Sequence, residues 1–469
     1  MAIQTLYTQA FGIAVFAFQA PLLGPRAFGL VAIVMIFVSL FESLLVDTTT
    51  DVLISLLNIE EQHYATMNGI TLIVAAVIGI ALMICAGPLS SIFREPELQA
   101  IFRCMAILPL ISAFGSAPTA ATKRQMAFKP LAIRMISGVT CGGITGIVLT
   151  LLGAGAWALV WQAVVQRFIS VAVLWKNSEL PFRVGLSRRH WLDLAHFTKP
   201  LLLSRTMSWG ASQLPRLILG LNLTVTELGL FSLASRLSDI LVQLTLVPRY
   251  AVARVELRRH ATDPMALNIA VDRTIGWMSA LCFPLSFCGA ALVPTLIHLW
   301  LNPKWFGAIV PAQALLLSAC SWVSFYGGGA VFLAVNQPRR EALMSTLQAL
   351  TIFLVVLIFG AQGLIFVSVA MSIRSFLLIP LEAVLLRKYC HVLFGTFLRN
   401  QGFSLCAAIG SGVTIWLLRS WVEGRCGNAV TLVALGILGI FVYALLLGIL
   451  APQLLRQLLS RDLNDVESY

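Results

Sequence analysis

Leu22–Ile33 reads LLGPRAFGLVAI, and two hundred positions later Asn222–Leu233 reads NLTVTELGLFSL. Each places a polar or turn-rich break ahead of a small apolar run, with Leu23, Phe28, Gly29 and Leu30 answered by Leu223, Leu228, Gly229 and Leu230. One chain writing the same corner twice points to a duplication. Its meaning depends on what surrounds the two copies.

Only 11% of the 469 residues are charged and 59% are hydrophobic, too little polar material to clothe several soluble domains. A bilayer core of about 30 Å takes roughly 20 apolar residues per helix, and such runs follow one another to Leu450. The pattern is that of an all-α polytopic membrane protein; the short alternating segments of a β-barrel are absent. The run Ala10–Leu23 lacks a basic lead and is read as the first membrane helix, not a signal peptide. Of nine cysteines, Cys85, Cys104, Cys141, Cys282, Cys288, Cys320 and Cys406 sit in apolar runs without metal-ligand spacing, and read as packing residues. The formal charge of +12 is scattered between spans, so it argues for membrane topology and against a nucleic-acid surface.

Breaks at polar, Gly and Pro positions predict about fourteen spans: 4–23, 27–47, 66–93, 98–121, 131–152, 155–176, 198–221, 226–248, 274–300, 307–335, 341–360, 362–386, 400–420 and 428–451. Connections after even spans are basic, carrying Lys123, Arg124 and Lys129, then Lys176, Arg183, Arg188, Arg189 and Lys199, then Arg249 to Arg273, Arg339 and Arg340, and Arg387, Lys388 and Arg399. The positive-inside rule makes these, and both termini, cytoplasmic. The acidic second connection, NIEEQH, goes against it. Gly29 opens the second span and Gly229 the eighth, and an even offset means two halves of the same sense. Two further echoes agree: GAGAWALVWQAVVQRF (Gly153–Phe168) with GAQGLIFVSVAMSIRSF (Gly360–Phe376), and TKRQ at Thr122 with NQPRR at Asn336. Parallel repeats about an axis along the membrane normal are a transporter plan. The expected division is a six-helix lobe at 1–196, a second at 197–390, and two extra helices with a tail at 391–469.

Polar positions at helical spacing mark a face turned away from lipid. The seventh span supplies Arg205, Ser208, Trp209, Ser212 and Arg216; the eighth supplies Ser232, Ser235, Arg236, Asp239 and Gln243. Their counterparts are Thr5, Thr8, Gln9 and Gly12 in the first span and Ser39, Glu42, Ser43 and Asp47 in the second. These faces are expected to line a central path, with Arg205, Ser208, Ser212, Arg216, Arg236 and Gln9 as candidates for the substrate. Arg374 and Arg167 also fall in apolar surroundings, and Arg374 joins that set; Arg236 and Asp239 are spaced to neutralise one another instead. Pro200, Pro215, Pro284 and Pro380 are candidate kinks. No phosphate loop, no H-E-x-x-H zinc motif and no long cytoplasmic connection is present, so neither catalysis nor a cofactor is expected. His63, His190, His196, His260, His298 and His391 lie mostly at connections or span ends and read as interfacial residues, with no metal assigned.

The corner LLGPRAFGL, then ATKRQMAFKPLAIR with its Gly-rich span, GAGAWALVWQ, and ELGLFSLASRLSDI occur in the order found in the polysaccharide-transport branch of the MOP flippase superfamily, the Wzx and colanic-acid-exporter type, which the chain resembles from about Gln4 to Cys390. That resemblance implies a MATE- and MurJ-like fold of fourteen helices in a bacterial inner membrane. It also implies movement of a polyprenyl-diphosphate-linked oligosaccharide from the cytoplasmic to the periplasmic leaflet, beside glycosyltransferases and a polysaccharide polymerase. An undecaprenyl tail stays in lipid, while the diphosphate needs cations to replace lost hydration. Relatives carry a longer lead before the first span, which implies a start upstream of Met1. Many also carry an acidic or amide pair where this chain has Pro215 and Arg216, which leaves Glu42, Asp47 and Asp239 as the ion-coupling candidates. A multidrug antiporter of the same superfamily, or a membrane-embedded polymerase, is the alternative.

Overall fold

The computed structural model describes residues 2–56, 59–178 and 183–452. The side chains of His196, Pro200, Arg399 and Arg425, and the tail after 452, lie outside the described residues. The chain is built of helices, with no strand among the described residues. In order they are α1 (Ala2–Phe41), α2 (Thr48–Ser55), α3 (Glu61–Ile92), α4 (Glu97–Met105), α5 (Leu108–Phe114), α6 (Ser116–Arg124), α7 (Phe128–Leu151), α8 (Ala156–Lys176), α9 (Arg188–Asn222) and α10 (Val225–Arg259). The second half follows with α11 (Pro264–Trp300), α12 (Ile309–Ala334), α13 (Pro338–Phe359), α14 (Leu364–Leu377), α15 (Ile379–Cys390) and α16 (Phe394–Leu450).

Twelve helical segments among the described residues are long and apolar enough to cross a membrane. The first, Gln4–Ser55, has 52 residues, about 78 Å at a rise of about 1.5 Å per residue, far beyond one bilayer core. Gly24 reverses it. Its φ of 72° and ψ of 170° fall in a region essentially restricted to glycine, and Pro25 starts the return. Gly427 breaks α16 in the same conformation, φ 71° and ψ 161°. The N-terminal arm of α1 then runs parallel to α7, with Gln4 Nε2 on Met135 Sδ at 2.8 Å and Gln19 Nε2 on Thr150 Oγ1 at 3.5 Å. The returning arm runs antiparallel to α9. That helix is absent from the twelve because its polar stripe lowers its hydropathy below that of a lipid-facing span. Fourteen crossings follow if Gly24 divides one segment into two and α9 adds another.

Proline sets several breaks. The fourth expected span is three short helices, with Pro109 and Pro118 in the first turns of α5 and α6. Pro380 does not kink a continuous helix but opens α15 after α14 has ended. The duplication appears in the backbone as well as in the letters: Met126 (φ 54°) and Asn336 (φ 60°) each take the left-handed turn two residues before α7 and α13. Both units turn apolar side chains outward, as Leu343, Leu350, Leu354, Leu357 and Ile358 do along α13, a surface suited to lipid.

The chain divides into two compact units, Met1–Gly229 and Leu230–Tyr469. In the first, Val52, Leu53, Leu56, Met67, Ala120 and Leu194 form a core beneath the starts of α3 and α9. In the second, Cys288 and Ala291 of α11 pack against Ile415 and Leu435, one from each arm of α16, so the two extra helices are seated on α11.

Candidate functional site

In the first unit the returning arm of α1 does not pass smoothly into α2. Glu42–Asp47 forms a π-helical turn, a feature that widens the helix by one residue and is frequent at functional sites. It and the first turn of α2 carry three acids, Glu42 and Asp51 half-buried and Asp47 exposed. Glu42 pairs with Arg167 of α8 and accepts the Ser112 hydroxyl from α5 at 3.1 Å. Asp51, in the first turn of α2, pairs with Arg205 of α9. Between them Asp47 lies in the field of Arg205, Asp51, Lys123 and Arg167. Just ahead of Glu42 in the chain, Ser39 Oγ accepts from Trp209 Nε1 at 3.1 Å.

Beside the Glu42–Arg167 pair is a cavity of about 170 Å³, room for several waters. Its charged lining is Glu42, Arg134 and Arg167, joined by Gln166 and Ser170 and closed by Met35, Val38, Leu108 and Met135. Arg134 Nη1 donates to Thr119 Oγ1 at 2.7 Å, while its buried Nε has no hydrogen-bond partner. Two arginines against one glutamate leave an excess of positive charge on the cavity lining, and guanidinium groups are the donors best matched to phosphate or carboxylate oxygens. Arg134 stands seven residues into α7 and Arg167 nine before the end of α8, so the cavity is on the order of 10 Å inside the ends that carry Lys129 and Lys176.

The candidates named from sequence fare differently. Glu42, Asp47 and Arg205 stand among the three acids and their partners. Ser208 is exposed, and Ser212 donates to the Trp209 carbonyl at 3.0 Å. Gln9, Arg216, Arg236 and Asp239 all have interaction partners; Arg216 and Asp239 are exposed, Gln9 and Arg236 half-buried. Arg374 is instead turned into a helix pair. It is 9% exposed and donates to the Gln348 carbonyl at 2.9 Å, Thr351 Oγ1 at 3.1 Å and Ser375 Oγ at 3.0 Å, tying α14 to α13. Sequence reasoning missed Arg134, Asp51, Ser112 and Thr119. Arg134 is visible only as the last letter of a basic motif, and Asp51 stands just beyond the expected second span, 27–47.

The opening corner has its structural answer here. A Cβ on Gly29 would collide with the carbonyl oxygen of Val225, and one on Gly229 with the carbonyl oxygen of Pro25. Each glycine sits four residues into its helical arm and meets the first residue of the other, a reciprocal crossing in which two backbones touch. Nearby, Arg26 is held by Glu95 at 2.7 Å and Glu97 at 3.0 Å, so the first and third connections share a face.

Residues 19–310 match the family described as "Polysaccharide biosynthesis protein". The chain belongs to this family. The succinoglycan biosynthesis transport protein ExoT of Rhizobium meliloti (strain 1021) is 24% identical over 227 residues, 48% of this chain and 46% of that protein. The match thus spans about half the length of that curated relative. The chain is similar in fold to the lipid II flippase MurJ, solved in an inward closed conformation, with a TM-score of 0.78 over 97% of this chain and 99% of the other at 12% identity. An inward-facing multidrug resistance MATE transporter of the MOP superfamily is similar at a TM-score of 0.58 and 14% identity, over 82% of this chain and 95% of that one. The chain is a multi-pass membrane protein of MurJ- and MATE-like fold.

Proposed function

We propose that this protein is a flippase that carries a polyprenyl-diphosphate-linked oligosaccharide from the cytoplasmic to the periplasmic leaflet of a bacterial inner membrane, for exopolysaccharide, capsule or O-antigen assembly. The observation that carries the reading is the cavity bearing Arg134 and Arg167 against the single acid Glu42. A diphosphate leaving water needs permanent cations, and guanidinium groups offer charge and a donor fork matched to phosphate oxygens. Nothing comparable is needed for the prenyl tail, which the apolar exterior can accompany through lipid. The protein acts as a transporter and not as an enzyme. The basic even connections support a cytoplasmic position for both termini. The acidic second connection fits this topology because Glu60 and Glu61 lie against His190 and Arg183 of the sixth, so the two share one face.

In this topology the glycine crossing is a close backbone contact on the periplasmic side of the first unit. The deciding experiment is deletion of the gene followed by labelling of the lipid-linked repeat unit. The unit should accumulate at the cytoplasmic face and be cleared by the wild-type gene but not by Arg134→Ala. Normal periplasmic polymer in the deletion strain, with no second flippase present, overturns the proposal. The MATE-like fold makes drug export the competing reading; it predicts loss of drug resistance with polymer export unchanged.

A further inference from the structure

Away from the cavity, two histidines meet where α3 and α9 begin. Glu60 caps α3 and His63 is its third residue; His190 and Asp193 lie in the first two turns of α9. His190 Nε2 is 3.3 Å from Glu60 Oε2, and His63 Nε2 is 3.7 Å from Asp193 Oδ2. The two rings stand at right angles, centroids 4.5 Å apart, and both are buried while the two carboxylates reach solvent. One ligand atom each from Glu60, His63 and His190 falls within 4.8 Å of the other two. We propose that Glu60, His63 and His190, with Asp193 as the fourth ligand, bind a divalent transition metal of the zinc type and staple the start of α9 to the start of α3.

The donor set is two imidazole nitrogens and two carboxylates, which suits zinc better than the oxygen-only preference of magnesium or calcium. Tetrahedral ligation at about 2.0–2.2 Å puts neighbouring ligand atoms about 3.3 Å apart, so the Glu60, His63 and His190 group closes in from within 4.8 Å and the exposed Asp193 carboxylate swings in from 3.7 Å of His63 Nε2. An orienting partner is already in place: His190 Nδ1 and Ser187 Oγ are 2.7 Å apart, and an Nδ1–H donated to that hydroxyl leaves the Nε2 lone pair for metal. His63 gives up one bond. Its Nδ1 accepts the Glu60 N–H at 3.1 Å, and binding through Nε2 moves the ring proton to Nδ1 and breaks that cap. Two carboxylates balance the charge of the ion.

Both helix starts are held in place independently of any metal. The connector into α9 lies along α3, with Gly185 N–H donating to the Ala65 carbonyl at 3.1 Å, Asn68 Nδ2 to the Arg183 carbonyl at 3.3 Å, and Arg183 paired to Glu61 at 2.5 Å. Ligands carried on such fixed elements lose little freedom on binding.

The test is titration of the full-length, tag-free protein, stripped with chelator in detergent, with zinc chloride, followed by calorimetry, and with cobalt chloride, followed by its visible ligand-field band. One equivalent of zinc, a tetrahedral cobalt band, and loss of both in His63→Ala/His190→Ala are expected. Glu60→Gln and Asp193→Asn change exposed carboxylates and keep the imidazoles, so they remain informative if the double variant does not fold; each should weaken zinc about tenfold or more. Wild-type uptake no greater than that of the double variant, affinity unchanged in both carboxylate variants, or equal competition by magnesium chloride each overturns the proposal.

Discussion

Glu42 and Arg167 come from helices more than a hundred residues apart, and their value to each other depends on the cavity beside them. Removing one member of this half-buried pair leaves the other charge without its counterpart, whereas removing both does not. Arg167→Ala should therefore lower the thermal unfolding temperature in detergent by a few degrees, and Arg167→Ala/Glu42→Gln should recover most of it. Export separates structure from transport: if Arg167 holds the phosphorylated headgroup, the double variant recovers stability but still exports at least about tenfold less, roughly 1.4 kcal/mol of lost binding. Recovery of both would make the pair structural. Arg134→Lys keeps the charge but loses the guanidinium fork, and should retain more export than Arg134→Ala and less than wild type. Arg205 and Asp51 offer a cleaner cycle, because Arg205→Asp with Asp51→Arg rebuilds the pair in reverse and should restore a folding yield that each single change lowers. Single-sequence reading reached Glu42, Asp47 and Arg205 because a charge inside an apolar run is conspicuous. It could not reach Asp51, just beyond the expected second span, or Arg134, near the start of the fifth, nor foresee that Arg374 would donate to the Gln348 carbonyl and the Thr351 hydroxyl of α13, since partners from other helices leave no periodic trace.

Among the elements, the reversal at Gly24 is the most exposed to substitution. Its backbone lies where any Cβ is strained, so Gly24→Ala should cost on the order of 1–3 kcal/mol, read as a lower unfolding temperature, with Gly427→Ala behaving alike. The glycines at the crossing are a different case. Their helical φ would tolerate alanine, but the neighbouring carbonyl would not. Gly29→Ala must push α10 away, and overpacking of this kind costs about 1–3 kcal/mol. Export should fall with it, and a matched loss is expected from Gly229→Ala; strongly unequal losses in the two variants would contradict a reciprocal contact. The repeated corner was legible as letters two hundred positions apart. Its meaning was not, because a glycine that spares a turn and a glycine that admits a foreign carbonyl look the same in sequence.

For the whole molecule, hydropathy made the helical class and the membrane setting legible, and the even offset of the echoes gave the sense of the repeat. Span count was harder. The breaks between 4–23 and 27–47 and between 400–420 and 428–451, and the span 198–221, are all read from the sequence, yet α1 and α16 run through Gly24 and Gly427 as continuous helical segments, and the polar stripe of α9 keeps it below the hydropathy of the other spans. Single-cysteine labelling settles the topology: in a cysteine-free background, Gln62→Cys and Val184→Cys should react only from the cytoplasm and Thr224→Cys only from the periplasm. Labelling of positions 62 and 184 from opposite sides would conflict with the Arg183–Glu61 pair. The glycine crossing has a consequence of another kind. A contact in which residue i of one arm meets j of the other, while j meets i, is the signature of two identical chains related by a two-fold axis. Here both pairs belong to the first unit, so the joint is locked twice: prising it open at Gly29 also lifts Gly229 off the Pro25 carbonyl.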